Sequence, residues 1–163
     1  HMQEMGENAV DAAHFHYVHG TDEVPEAAFQ NFDGHIREGK FITRQPTPRG
    51  VVDGAIETRS QGAGLSVVRF TGIYDTLLLA NVTPVGPEKT YASYAFIQPR
   101  ATQDTLGKTV GQAIIGNICQ QMAEDKIIWD RKQYFERPLL CDGDGPFAKF
   151  RRWFSQFLVD PAA

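Results

Sequence analysis

The sequence predicts an α+β domain in which a meander of antiparallel strands is followed by one long helix, and three observations carry that expectation. Between Phe29 and Arg100 the chain is rich in β-branched and aromatic residues, in short runs separated by turn residues. From about Thr105 to Asp130, Val110, Ile114, Ile118 and Met122 recur every four residues, as on a helix with one apolar stripe. Ahead of both lies a segment, Glu7 to His19, whose apolar and histidine positions also repeat at helical spacing.

Composition narrows the function. The 163 residues, 42% of them hydrophobic, suit a single domain with a sizeable core. A net charge of −4 argues against nucleic acid as a partner. No apolar run approaches the ~18 residues of a membrane span, and no signal-peptide pattern is visible. Two cysteines, Cys119 and Cys141, suit a reducing compartment, so a cytoplasmic protein is expected. His1-Met2 reads as a cloning scar with a start codon, which leaves residues 3–163 as the single domain and His1 outside any site.

Taken in order, Glu7 to His19 reads as a helix that Asn8 caps and that Gly20, Thr21-Asp22-Glu23 and Pro25 end. Five β-rich runs follow: Phe41–Thr43, Val51–Thr58, Leu65–Thr71, Thr76–Thr83 and Thr90–Ile97. Turn signals at Gln61–Gly64, Gly72–Asp75 and Pro84–Glu88 make them a meander of about five to seven strands. One face of such a sheet must line a core or a cavity. Phe70, Leu77, Leu79, Val82, Tyr91, Tyr94, Phe96 and Ile97 form the apolar pool for it, joined from the long helix by Met122 and Trp129. Asp104 is placed to cap that helix. Near the end of the chain, Phe150, Trp153, Phe154 and Phe157 share a helical face that should dock on the body, while Lys149, Arg151 and Arg152 read as solvated. Asp142-x-Asp144 is a turn rather than a calcium loop, since Trp153 stands where an EF-hand needs its last glutamate.

The chemistry-bearing residues concentrate at the two helical ends. Asp11, His14, His16 and His19 lie within nine residues, and two histidines with a carboxylate form the ligand set of oxygen-activating non-haem iron. Helical spacing pairs Asp11 with His14 and His16 with His19. It puts His14 and His19 about 140° apart, so those two could share a metal only across a bend, a bulge or a helix end. On the long helix, Asn117, Gln121, Asp125 and Trp129 form a row beside the apolar stripe. A carboxylate there is costly unless paired or metal-bound.

The run from Glu7 to Gly20 resembles the signature of Rieske-type non-haem iron oxygenases, N-x-x-D-x-x-H-x-x-x-x-H. It is most similar to the branch holding the 3-ketosteroid 9α-hydroxylase oxygenase component and the cholesterol 7-desaturases. The tail, Trp129 to Phe157, resembles that branch's closing pattern. The resemblance implies a helix-grip fold (START-like, SRPBCC) with Fe(2+) held by His14, His19 and Asp125, Glu124 being the alternative third ligand. It also implies Asp11 as the electron-transfer bridge, O2 as co-substrate and a steroid-like substrate in the apolar pocket. Asn8, Asn117 and Gln121 are candidates for hydrogen bonds around the iron. The 2Fe-2S cluster would need two Cys and two His in a pattern this sequence lacks, so it is expected on a missing domain or a partner subunit, served by a reductase. The family assembles as head-to-tail homotrimers. Two other readings stand beside this one: a sterol-binding helix-grip module without oxygenase activity, and a zinc-dependent hydrolase or isomerase using the same ligands.

Overall fold

A computed structural model describes residues 1–86, 89–100, 105–141 and 143–159; Asp104 and Asp142 fall outside them. Six strands form one antiparallel sheet in sequence order: β1 (Glu26–Asp33), β2 (Ile36–Thr47), β3 (Gly50–Gln61), β4 (Leu65–Thr71), β5 (Thr76–Gly86) and β6 (Lys89–Ile97). Two short helices, α1 (Met2–Glu7) and α2 (Ala13–Tyr17), precede it, with a 3-10 turn at Asn8–Val10 between them. Two more follow, α3 (Thr105–Trp129) and α4 (Phe147–Ser155). This is the α+β helix-grip arrangement. No helix among the described residues is long and apolar enough to cross a membrane.

The structure adds a strand, β1, to the five β-rich runs and lengthens others: β3 runs to Gln61, and β5 runs to Gly86 because Pro84 and Gly86, read as turn residues, pair with Thr90 and Lys89. The edge strand β1, Glu-Ala-Ala-Phe-Gln-Asn-Phe-Asp, carries few strand-favouring residues, and its pairing to β2 rather than propensity makes it a strand. For the same reason β2 extends well past Phe41–Thr43 on both sides.

Register decides which side chains face inward. Phe41 pairs with Ile56, Ile56 with Phe70, and Leu78 with Phe96, so these lie on the concave face toward α3. Leu77 and Leu79 pair with Ile97 and Ala95 and lie on the convex face. These two leucines, with the exposed Ile97 and Tyr91, do not belong to the interior lining; buried Leu78 takes that role. The run from Thr76 to Ala80 is apolar at almost every position, so its alternation does not reveal which face is inside, and a one-residue shift inverts it.

Helix α4 closes one end. Phe150, Trp153 and Phe154 are buried with Val10 as one cluster, against which Met2, Phe32 and Phe157 pack. Each fully buried aromatic contributes roughly 1.5–3 kcal/mol. The Trp153 indole donates to the Gly34 carbonyl at 3.0 Å, pinning α4 to the β1–β2 hairpin. Met2, set aside with His1 on sequence grounds, thus opens α1 and packs on this core.

Arg151 is not solvated. Its Nε donates to Glu7 at 2.7 Å, and its guanidinium lies 4.9 Å over the Tyr134 ring. Lys132 reaches Glu7 at 2.6 Å and Glu4 at 3.0 Å, and both acids are buried. The cluster ties α1 to the segment after α3 and to α4. Burial alone would raise the Glu7 carboxyl, but the hydrogen bonds from Arg151 and Lys132 outweigh it and hold the group below its ordinary value of 4.5. A depressed folded value means this stabilisation is fully present above about pH 4.5 and lost as pH falls through the lower folded value. Glu7→Gln should therefore lower the unfolding free energy by about 3 kcal/mol at pH 7, leaving two cations under-compensated. It should also flatten the acid limb of stability, measured by urea denaturation between pH 7 and pH 3.

Candidate metal centre

The amino-terminal segment is not one helix from Glu7 to His19. The backbone runs helical to Glu7, tightens to a 3-10 turn over Asn8–Val10, and becomes extended at Asp11 (φ −100°, ψ 104°) before α2 begins. The Asp11 carboxylate accepts from the amides of Ala13 (2.9 Å) and His14 (3.2 Å), which satisfies two unpaired donors of the new helix. After Tyr17 the chain turns again. The amides of Gly20 and Thr21 donate back to the carbonyls of His16 and Phe15, both at 3.1 Å. Gly20 sits at φ +68°, the left-handed conformation that closes helices at low cost for glycine.

Both faces of the interruption are held. Arg37, fully buried, donates through Nη2 to the Ala9 carbonyl and to Gln30 Oε1. Burial drags its guanidinium down to about 10, which leaves it charged at neutral pH. On the other side Gly145 packs directly on the Val10–Asp11 peptide, where an added Cβ would overlap the Val10 carbonyl oxygen. The loop ahead of α4 thereby presses the break into place.

The break brings together residues that an ideal helix would separate. His14, His19 and Asp125 each offer a ligand atom, and these atoms all lie within 4.8 Å of one another. The two imidazoles stand nearly perpendicular, with centroids 5.2 Å apart. His14 Nδ1 lies 2.5 Å from the Asp11 carbonyl oxygen, and His19 Nδ1 lies 2.9 Å from Glu124 Oε2. Both oxygens accept, so each ring donates from Nδ1, which turns its Nε2 toward the centre. His19 Nε2 lies 3.3 Å from Asp125 Oδ1.

Asp125 is buried on α3, and the Asn8 side chain reaches it. Asn8 also accepts from the Trp129 indole at 3.3 Å, so its side chain links the end of α1 to α3 instead of capping the start of a helix. Burial raises the Asp125 carboxyl and lowers the His14 imidazole, so the pocket resists charge on each. A divalent cation among them would offset the cost on the carboxylate and needs the imidazoles neutral.

His16, the partner that spacing favours for His19, is outside the group. Its Nδ1 donates to the Thr21 carbonyl at 2.5 Å, and its ring lies edge-on to exposed Tyr17. Glu124, the alternative third ligand, lies on the far side of the His19 ring from Asp125 and orients it.

A model of the 3-ketosteroid 9alpha-hydroxylase C-terminal domain family matches residues 1–158. The chain belongs to that family. It is 28% identical over 98% of its length to a 3-ketosteroid-9-alpha-monooxygenase oxygenase component of Rhodococcus rhodochrous. It is 25% identical over 96% of its length to a cholesterol 7-desaturase of Xenopus laevis, and 28% identical over 98% to one of Caenorhabditis elegans. The chain spans less than half of these curated relatives: 45%, 40% and 43% of their lengths.

In this member of the 9alpha-hydroxylase C-terminal domain family, the three potential ligands open onto a cavity of about 220 Å3 between the concave sheet and α3. Phe70, Val82, Tyr94, Met122 and Trp129 line it, as do Asn8 and Gln121. Phe96 shares the concave face but lies two residues beyond Tyr94 on β6 and is not among the residues lining the cavity. Asn117 does not line it either: it is exposed, whereas its neighbour Ile118 is buried and faces the cavity. Phe15, Phe41, Ile56, Leu78 and Ile118 do line it. Alternation along β2 and β3 is the sequence signal that points to Phe41 and Ile56, whereas the uniformly apolar run around Leu78 carries none.

Gly145→Ala should displace the Val10–Asp11 peptide. The expected outcome is a loss of about 2 kcal/mol or more of stability, together with faster amide exchange at Ala13 and His14 than in the sheet. Unchanged exchange at those two amides would show that the break does not depend on the loop.

Proposed function

We propose that this chain is the substrate-binding and metal-binding part of a Rieske-type mononuclear non-haem iron monooxygenase that hydroxylates a steroid-like, lipophilic substrate with O2. The observation that carries the reading is the convergence of two imidazoles and one buried carboxylate at the wall of an apolar cavity. His14 Nε2, His19 Nε2 and Asp125 would hold Fe(2+) on one face and leave positions open. The relatives' names, steroid monooxygenase oxygenase component and cholesterol 7-desaturase, support the same class.

Iron bound there supplies O2 activation toward an unactivated C–H bond. The chain's own residues do the rest. The Asp11 carbonyl and Glu124 fix the two imidazoles through their Nδ1 protons, so both Nε2 lone pairs point inward. Asn8 steadies the Asp125 carboxylate. Phe70, Leu78, Met122 and Trp129 exclude water and present the substrate's hydrocarbon to the centre.

Electrons would come from a 2Fe-2S cluster on a domain or subunit outside this stretch, fed by a reductase. Asp11 is the proposed bridge, since it touches His14 through both its carbonyl and its carboxylate. A head-to-tail homotrimer would bring a neighbour's cluster to that residue.

The test combines metal analysis with reconstitution. The chain should bind one equivalent of iron(II), lost in His14→Ala, His19→Ala and Asp125→Ala, and should hydroxylate a 3-ketosteroid when a cluster-bearing partner and reductase are supplied. Tight zinc with hydrolysis, or sterol binding without metal, would replace this reading with another. Glu124→Gln should weaken iron(II) binding by about 10–100-fold without abolishing it, as removal of a partner behind a ligand does. Asp11→Asn keeps an oxygen to cap α2 and should leave iron bound while abolishing coupled turnover. Loss of iron in that variant would count against the bridge.

A further inference from the structure

Helix α3 borders different cavities on adjoining stripes of its surface, which turn by about 100° per residue. Ile114 and Gln121 border a cavity of about 540 Å3 under the segment 20–26. Met122, Asp125 and Trp129 border the cavity beside the candidate metal centre. Cys119, Ala123 and Lys126 border a groove of about 910 Å3 on the far flank, against Thr90 and Ala92 of β6. Those three helix residues are exposed, so the groove is open to solvent.

The groove and the metal-side cavity share one wall, made of Met5, Tyr94, Met122 and Trp129. That wall stands at Asp125. Met122 and Trp129 flank Asp125 on α3, one turn before it and one turn after it. Burial and, after it, the charge of Asp125 push the Tyr94 hydroxyl above its ordinary value, so Tyr94 is also a close neighbour. A molecule that crosses here arrives beside the ligand carboxylate without traversing the rest of the cavity.

The wall suits only a small, apolar molecule. Trp129 is held by its hydrogen bond to Asn8 at 3.3 Å, and Tyr94 stands on a sheet strand. Met5 and Met122 are the movable members, because an unbranched thioether with three rotatable bonds re-packs easily. Swinging one aside opens a gap the size of a few heavy atoms, wide enough for a diatomic gas and too narrow for a ring system. Water gains no hydrogen bonds on passing thioethers and ring faces, whereas an apolar gas loses none. The lysines at the rim are committed, Lys126 to Asp130 and Lys132 to Glu4 and Glu7.

We propose that this groove and its methionine wall are the way in for O2, separate from the space that receives the lipophilic substrate. The inference rests on the oxygenase reading above and goes beyond it. A substrate seated beside His14 and His19 fills the cavity of about 220 Å3 in front of them and closes that approach to a second reactant. The wall at Asp125 stays open to a diatomic molecule when that space is full.

The test uses nitric oxide, a diatomic of similar size, mixed anaerobically with the iron(II)-loaded chain, so that the rate of association is read by absorbance without turnover. It is run with and without saturating cholest-4-en-3-one presented from cyclodextrin. The wild-type chain should take up nitric oxide within about twofold of the same rate in both conditions. With the sterol seated, Ala92→Phe and Ala123→Phe, which fill the groove, should each slow association by about tenfold. Ala123 is exposed, so that variant carries little folding risk. Met122→Ile, whose β-branched side chain is stiffer, should slow it too. Ile114→Phe, which fills the cavity under the segment 20–26, should not. A sterol that by itself slows the wild-type chain as strongly, groove-filling variants that keep the wild-type rate, or an equal effect of Ile114→Phe overturns the inference and leaves the oxygenase reading standing. If no sterol binds, the steroid-like reading falls, and the filled variants decide the inference by their sterol-free rates. A chain that takes up no iron(II) ends the metal reading, and the inference falls with it.

Discussion

The site depends on the backbone leaving the helix at Asp11. An unbroken helix would point His14 and His19 in directions about 140° apart. The extended residue, the capping carboxylate and the turn at Gly20 bring both rings to one side instead. An interruption buried under other elements leaves backbone groups to be satisfied, and here each finds a partner or a close neighbour. The Ala9 carbonyl takes Arg37, the Asp11 carbonyl takes His14, and Gly145 covers the peptide between them. Arg37 has two further donors with no hydrogen-bond partner, so the fold retains a costly buried cation next to the turn.

That arrangement explains what was legible in the sequence. Periodicity read the long helix and the meander, because both depend on local patterns that survive in one dimension. It read the amino-terminal helix wrongly, because the break is imposed by Arg37 and by the loop before α4, neither of which is near in sequence. Spacing therefore favoured His16, and only the motif's resemblance pointed to His14. Asp125 stood out as an acid within an otherwise uncharged helical row. The part Glu124 plays behind His19 could not be seen, since it depends on which side of the ring each acid approaches.

The sheet shows the same limit in another form. Leu77, Leu78 and Leu79 are chemically alike, and only pairing with β4 and β6 sends the middle one inward. Arg151 looked like any solvated arginine because its carboxylate partner lies 144 residues earlier in the chain. Residues whose environment comes from distant partners are the ones that composition and period misplace.

His19 and the acid that orients it are 105 residues apart in sequence, with the whole sheet between them. Closing so long a loop is entropically unfavourable until the intervening strands are paired. A ribosome-bound chain that has emerged only through its strands thus displays the two imidazoles before Glu124 and Asp125 exist beside them. The arrangement of His14, His19 and Asp125 around one point is therefore completed only when α3 lies down.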